Sequence, residues 1–484
     1  GGIEWGGTPW TGQHGSFMTM ADKDALLVTE TGSGWADGKG SFADNREIQG
    51  HGEMPNGEFT GHYRYGSEVV VEYTINGTEV LEMLSKDGET VSRSFRFGAR
   101  KAPLTLLVAD EEGAFAVAKD SAYKQGGDGL GVVATDGLVL STDPNNAGRL
   151  LAQIPAGEGE LVAQLAFRKG EKPVPSAKPD FKKLTSGGAG IWPGILTTVG
   201  KVSTDGEKPF VTDLITLPDD NPWGANLRFG GFDFIDADSA ALSTWNGDVW
   251  VVRGLKGDWK ELKWQRIAAG LFETLGVKVV DGEIYVNGRD QITKLIDLNQ
   301  DGETDYFKVF NRDVYVSVNF HEFAFDLQTD KEGNFYFTKA GPVRAGGRGF
   351  EKILPHHGIV AKISPDGKKF EVVATGLRAP GGLGIGPNGE ITTGENEGTW
   401  QPACKINFLK AGDDPKFFGT EPTRHFLKDA PYAEPLMFFP MDMDNSGGSQ
   451  VWVPEDAKFG LKTGEMIHLS YGKSSLYRVL PVTF

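Results

Sequence analysis

The sequence predicts an all-β protein, with an N-terminal β-sandwich-like domain followed by a β-propeller of the six-bladed type, a C-terminal truncation being allowed for. Three observations carry this reading. Glycine supplies 67 of 484 residues, about twice ordinary usage and without collagen's period, which suits many tight turns between short strands. Apolar–polar alternation sets in sharply at Glu68 and is punctuated by Asn-Gly. From about residue 222 a strand–turn–strand unit recurs along the chain.

Residues 1–58 hold Trp5, Trp10, His14, Trp35 and His51 among many glycines, with no sustained period, and read as loops with a few short strands. Glu68 to Ile75 and Thr78 to Met83 then alternate on either side of Asn76-Gly77. Both residues of such a turn must take positive φ, so Asn-Gly between strand patterns is a strong hairpin signal. Strand patterns at Val91–Phe97, Leu104–Ala109, Leu138–Ser141 and Leu161–Phe167 follow with no long helical period between them. An antiparallel sandwich is expected there, within a domain set at 59–200. Lys169 to Lys183 carries three prolines and five lysines and reads as a domain boundary, because proline fixes φ and lysine favours solvent; Ser186 to Gly190 extends that break.

The remaining residues, 201–484, are expected to form the propeller. Gly231–Phe234 leads to Val249–Val252, Val277–Val280 to Ile284–Val286, Phe323–Asp326 to Phe335–Phe337, and Gly382–Ile385 to Ile391–Thr393; a weaker copy follows at Val451–Val453. The spacing suits four-stranded blades with inserted loops. A second sandwich is the competing architecture.

Composition removes several classes of function. The formal net charge of −17 opposes coating of nucleic acid. Cys404 is the only cysteine, which excludes internal disulfides, a CxxC zinc site and a CxxCH haem attachment. No apolar run has the length of a membrane helix. The start Gly1-Gly2-Ile3 is not that of a signal peptide, so any export signal is expected to have been removed or to lie outside this sequence. Gly472-Lys473-Ser474 ends like a P-loop, but Ile467 stands where its first glycine belongs.

Two motifs point to chemistry. Asp297, Asn299, Asp301 and Asp305 fall at positions 1, 3, 5 and 9 of a loop turning at Gly302, with the Glu303 carbonyl at position 7. Hard oxygen donors at alternate residues are the spacing of a calcium loop, so Ca2+ is expected there, chiefly as a structural ion. Position 12 is Lys308, so the loop is not an EF-hand; a solvated acidic turn is the alternative. The second motif is His321-Glu322 at the start of an extended segment; Phe325 in place of a second histidine excludes an HExxH protease. A lone strand-end histidine reads equally as a structural one.

The context of His321 carries a resemblance. His356-His357-Gly358 precedes a strand ending Ser364-Pro365-Asp366-Gly367; then come Gly376-Leu377-Arg378-Ala379-Pro380-Gly381-Gly382-Leu383 and Thr393-Gly394-Glu395. In order and approximate spacing this resembles the propeller of PQQ-dependent aldose sugar dehydrogenases and sorbosone dehydrogenases. The resemblance implies His321 as catalytic base, with Arg378, His357 and Glu395 bordering the PQQ cofactor. A base takes the hydroxyl proton of a sugar carbinol while hydride leaves for the quinone, and a histidine of near-neutral pKa suits that task. Gly7-Thr8-Pro9, His14-Gly15, Ser41-Phe42-Ala43-Asp44, Trp245-Asn246-Gly247-Asp248 and Asp444-Asn445-Ser446-Gly447 resemble large secreted bacterial proteins. Those join an uncharacterised N-terminal β-domain to such a propeller, often with a c-type cytochrome domain. The resemblance implies a periplasmic, secreted or cell-surface protein, a sugar or sugar-derived alcohol or aldehyde as substrate, and a cytochrome c as electron acceptor. A non-catalytic carbohydrate-binding or cell-surface scaffold protein is the rival, since a propeller hosts many functions; a hydrolase or lyase using His321 is a third.

Overall fold

The computed structural model describes residues 3–5, 18–20, 26, 34–44, 46, 48, 54, 56–124, 129–204, 206–207, 210–425 and 427–480. Trp10, His14, His51, Gly7-Thr8-Pro9 and Gly15 lie outside the described residues. The chain divides into two compact units: Gly1–Ile191 with Asp297–Lys308, and Trp192–Ile296 with Val309–Phe484.

The first unit is a sandwich of antiparallel sheets. One sheet runs Gly57–Tyr65, Glu68–Ile75, Thr78–Asp87, Thr90–Phe97, Leu161–Lys169, Leu130–Ala134, Ser121–Lys124, Phe115–Ala118. The other runs Val139–Asp143, Asn146–Ile154, Leu104–Asp110. Alternate residues of both, among them Val80, Phe95, Leu106, Leu150 and Phe167, close on Trp35 in one core, as the period-two pattern requires. The Asn76-Gly77 turn takes φ of 48° and 76°, the left-handed pair expected of it.

The proline- and lysine-rich stretch after Lys169 stays within this unit. Asp180 caps a helical turn, Phe181–Leu184, and Phe181 is buried with Val70, Leu81 and Met83. One apolar anchor is enough to hold down a segment whose composition otherwise favours solvent.

The second unit consists of successive antiparallel meanders, described here as blades. The first has Phe229–Phe234, Ser239–Thr244, Val249–Arg253 and Leu262–Ala268, with Leu196–Thr198 added at its outer edge. The second contains Gly276–Val280, Glu283–Asn287 and Ile292–Ile296. The third has Ala324–Thr329, Phe335–Lys339, Ile359–Ile363 and Phe370–Thr375. The fourth has Pro380–Ile385, Glu390–Glu395, Lys405–Lys410 and Met437–Phe438. The fifth has Gly447–Trp452, Met466–Ser470 and Ser475–Val479. A sixth blade is not among the described residues.

The first strand of each blade lies beside the first strand of the next, which is the arrangement of a propeller around its axis. Asp326, with φ of 60°, fastens that centre. Its carboxylate accepts the Leu383 N–H at 2.6 Å and the Ser449 hydroxyl at 2.7 Å, and its carbonyl accepts Asn287 Nδ2 at 2.9 Å. One residue of the third blade thus holds the second, fourth and fifth. In such meanders the loops from second to third strand, and from a fourth strand to the next blade, emerge at one edge. His321, Arg289, His357 and Arg378 all belong to loops of that edge.

Candidate functional site

His321 sits half-buried in the turn before the third blade. Its N–H donates to Asn319 Oδ1 at 2.8 Å, and its carbonyl accepts the Phe323 N–H at 2.9 Å. The ring lies between Phe320 and Phe323, each with its centroid 5.7 Å away. Phe323 in turn meets Trp245 of the first blade edge-on at 6.1 Å. The imidazole therefore stands in an aromatic setting on a tightly bonded turn.

The turn is held by its neighbour, Glu322, which is fully buried. Glu322 accepts the Ser317 N–H at 2.6 Å, the Ser317 hydroxyl at 3.1 Å, Arg289 Nε at 3.2 Å, Arg289 Nη2 at 2.9 Å, and His357 Nε2. Burial works to raise its pKa; the His357 bond and the charges of Lys339 and Arg289 outweigh it and bring the pKa down to about 2. Lys339, also buried, donates to the Arg289 carbonyl at 3.1 Å, and burial lowers its pKa to about 8. Arg289 is further paired with Glu273 at 3.1 Å. A buried carboxylate facing two cations is stable only when every lone pair is used, as here.

His357 is likewise wholly buried. Its Nδ1 accepts the Leu354 N–H at 3.0 Å, so Nε2 carries the proton and donates to Glu322. Burial depresses its pKa despite that partner, which keeps the ring neutral. Both nitrogens are occupied by the protein. The same holds for Glu395: Oε1 accepts the N–H groups of Arg378 at 2.6 Å and Ala379 at 2.9 Å, and Oε2 accepts Asn407 Nδ2 at 3.3 Å. Burial raises its pKa, opposed by Lys405 and those amides.

Arg378 is 5% exposed. Nη2 donates to the Gly347 carbonyl at 2.7 Å, while Nε is buried without a protein acceptor. Gly398 packs on the guanidinium so closely that a Cβ there would lie 2.3 Å from Cζ. The Arg378 carbonyl accepts the Gly341 N–H at 2.8 Å, and the adjoining Ala340 N–H donates to Phe323 at 2.8 Å. Two consecutive residues thereby tie the His321 turn to the Arg378 loop.

The fit to PQQ is consequently uneven. Arg378 keeps an unused donor of the right charge for a carboxylated quinone. His357 and Glu395, expected to border the cofactor, spend every polar side-chain atom on positioning loops. A similar clamp recurs in the fifth blade, where Asp444 accepts His468 Nε2 at 2.8 Å and the Ser470 hydroxyl at 2.6 Å. Serine and histidine both address the carboxylate, so this is not a nucleophilic triad.

The calcium expectation meets a different geometry. Asp297 accepts the Gln300 and Gly302 N–H groups at 2.7 and 2.8 Å, and Asn299 accepts that of Asp301 at 3.0 Å. Asp301 accepts those of Glu303 and Gly190 at 2.9 and 3.1 Å, and Asp305 those of Gly188 and Leu298 at 2.9 and 2.8 Å. Glu303 pairs with Arg64 at 3.0 Å and accepts the Ile191 N–H at 2.8 Å. Among the described residues no group of three or more His, Cys, Asp or Glu side chains is placed to hold a metal ion. The loop's oxygens are turned to backbone amides, and they dock it on residues 188–191 of the sandwich unit. It also delivers Tyr306–Lys308 to pair with Gly61–Tyr63, with Tyr63 and Tyr306 stacked at 4.1 Å.

The sequence marked His321-Glu322 as a motif but gave no role to Glu322 and no sign of Arg289 and Lys339. The one available signal was charged residues at the ends of otherwise apolar strands, as in Phe335–Lys339. A cavity of about 450 Å³ in the sandwich unit, beside Leu81, Arg96, Val162 and Phe181, contains none of these groups.

Residues 2–82 match a family described as "Domain of unknown function (DUF6797)". No curated protein matches the sequence. Among solved structures, YCF48 bound to D1 peptide is similar over 51% of this chain and 62% of its own, at 12% identity and TM-score 0.30. This chain thus spans less than two thirds of that protein's length. The PQQ-bound aldose sugar dehydrogenase of Streptomyces coelicolor is similar over 53% and 80%, at 13% identity and TM-score 0.34. The PQQ domain of pyranose dehydrogenase from Coprinopsis cinerea is similar over 52% and 78%, at 10% identity and TM-score 0.37. At such scores the likeness carries no argument, and the fold stands on the sheets themselves.

Proposed function

We propose that the loop-bearing edge of the propeller is a carbohydrate site and that the chain acts there as a quinoprotein-like oxidoreductase on a sugar or sugar-derived alcohol or aldehyde. The observation that supports this is the tie through Ala340-Gly341, which fixes an imidazole turn and a guanidinium loop from adjacent blades to each other. PQQ held at Arg378 would supply the hydride acceptor. His321 would take the substrate's hydroxyl proton. Glu322 and Glu395 would position the two groups, so that their geometry needs no rearrangement in the reaction. A cytochrome c as final acceptor and a periplasmic or secreted setting belong to this proposal.

A specific observation favours a second reading. Because His357 and Glu395 are fully engaged by the protein, the same edge also suits carbohydrate binding without catalysis. The experiment is dye reduction by the full chain with aldoses after loading with PQQ. Turnover that His321→Ala abolishes supports the oxidoreductase. Turnover that survives the substitution overturns His321 as base, and sugar binding without turnover selects the second reading.

A further inference from the structure

A strained tryptophan stands at the same edge, on the loop from second to third strand of the fourth blade. Trp400 has φ of 71° and is 55% exposed. A bulky side chain in the left-handed region is unfavourable, because Cβ crowds the backbone carbonyl. Exposure of an indole forgoes its burial as well. Of the tryptophans whose side chains are described, Trp400 alone is exposed.

The loop around it is rigid. Gly398 and Gln401 exchange both backbone hydrogen bonds, at 2.7 and 3.0 Å. The Gln401 side chain is buried and donates to Thr420 Oγ1 at 2.7 Å, and Thr399 Oγ1 accepts the Gly349 N–H at 3.0 Å. Gly398, two residues before the indole, is the residue packed on the Arg378 guanidinium. The turn is thus fastened on three sides while more than half of the Trp400 surface stays exposed. Strain kept in a well-bonded segment marks a conformation that the surrounding structure imposes.

We infer that Trp400 is a stacking platform for the apolar C–H face of a pyranose ring, forming a sugar subsite beside Arg378. A flat, exposed indole on a rigid turn presents this surface at little entropic cost. The ligand class is a neutral hexopyranose or its β-linked disaccharide. This deepens the proposed function and rests on its reading of the edge as a carbohydrate site.

The test uses the full chain, without quinone or electron acceptor, titrated with D-glucose, D-galactose and cellobiose and followed by saturation-transfer NMR. At least one sugar is expected to receive saturation at its ring C–H protons. Trp400→Ala is expected to weaken that sugar about tenfold, and Trp400→Phe to keep most of the affinity. Trp400→Asn, which tolerates positive φ, is expected to raise the thermal midpoint while losing the sugar. Absence of transfer from all three sugars, or equal affinity in Trp400→Ala, overturns the inference. So does a Trp400→Asn variant that loses stability together with binding, since that outcome marks a structural role. Sugar bound through Trp400 but never oxidised in the loaded assay would remove only the oxidoreductase reading.

Discussion

Replacing Glu322 by glutamine tests the buried clamp beneath His321. Its pKa falls from 4.5 to about 2 on folding, which corresponds to about 3 kcal/mol of stability in the ionised form. Glutamine keeps the shape but removes the charge facing Arg289 and Lys339, and its amide cannot accept all five hydrogen bonds. Breaking one side of a buried ion pair costs roughly 3–5 kcal/mol, so the two routes agree on about 3 kcal/mol at pH 7. The sign follows from the depressed pKa. Wild-type stabilisation by Glu322 is present above pH 4.5 and is lost as the pH falls toward 2. The assay is urea unfolding of wild type and Glu322→Gln at pH 7, 4 and 3, followed by tryptophan fluorescence. The variant is expected to lose about 3 kcal/mol at pH 7, with the two curves converging toward pH 3. A loss below about 1 kcal/mol, or a constant gap across the series, would refute the argument.

Three further outcomes are expected. Burial raises the pKa of Asp326 to about 6, so its contribution is most favourable below pH 3.8 and declines as pH rises through 6. Partial exposure discounts the shift to about 1–2 kcal/mol, and Asp326→Asn should gain that much at pH 8 and flatten the slope of thermal midpoint against pH. Gly77→Ala places a Cβ at φ of 76° and should cost about 1 kcal/mol, read by chemical denaturation of the sandwich unit. Asp305→Ala strands the N–H groups of Gly188, Leu298 and Asn299 and should cost about 2 kcal/mol, with faster hydrogen exchange confined to those amides.

The parts of the fold legible in sequence are those set by neighbours along the chain. Asn76-Gly77 needed only its own backbone preferences, and the repeated strand–turn–strand units needed only alternation and turn residues. The break expected from Lys169 to Gly190 ends where the two units divide, at Ile191, but composition gave no sign that Phe181 anchors it to the first unit through Leu81 and Met83. The acidic loop was recognisable by spacing, but its partners Arg64 and Gly188 are distant in sequence, and only folding shows that its oxygens meet amides. In the site, His321 was conspicuous as a residue type. Glu322 matters through Arg289, Lys339 and His357, which arrive from other loops, and nothing in His356-His357 tells which ring is enclosed. Trp400 was indistinguishable from a core tryptophan until its φ and exposure were known.

The most direct measurement is an electron-density map of the protein with PQQ and an aldose. The account predicts sugar density at the loop-bearing edge of the propeller, against Trp400 and within hydrogen-bond reach of His321. Sugar in the sandwich cavity beside Phe181, or a His321 ring sealed off from both ligands, would contradict it.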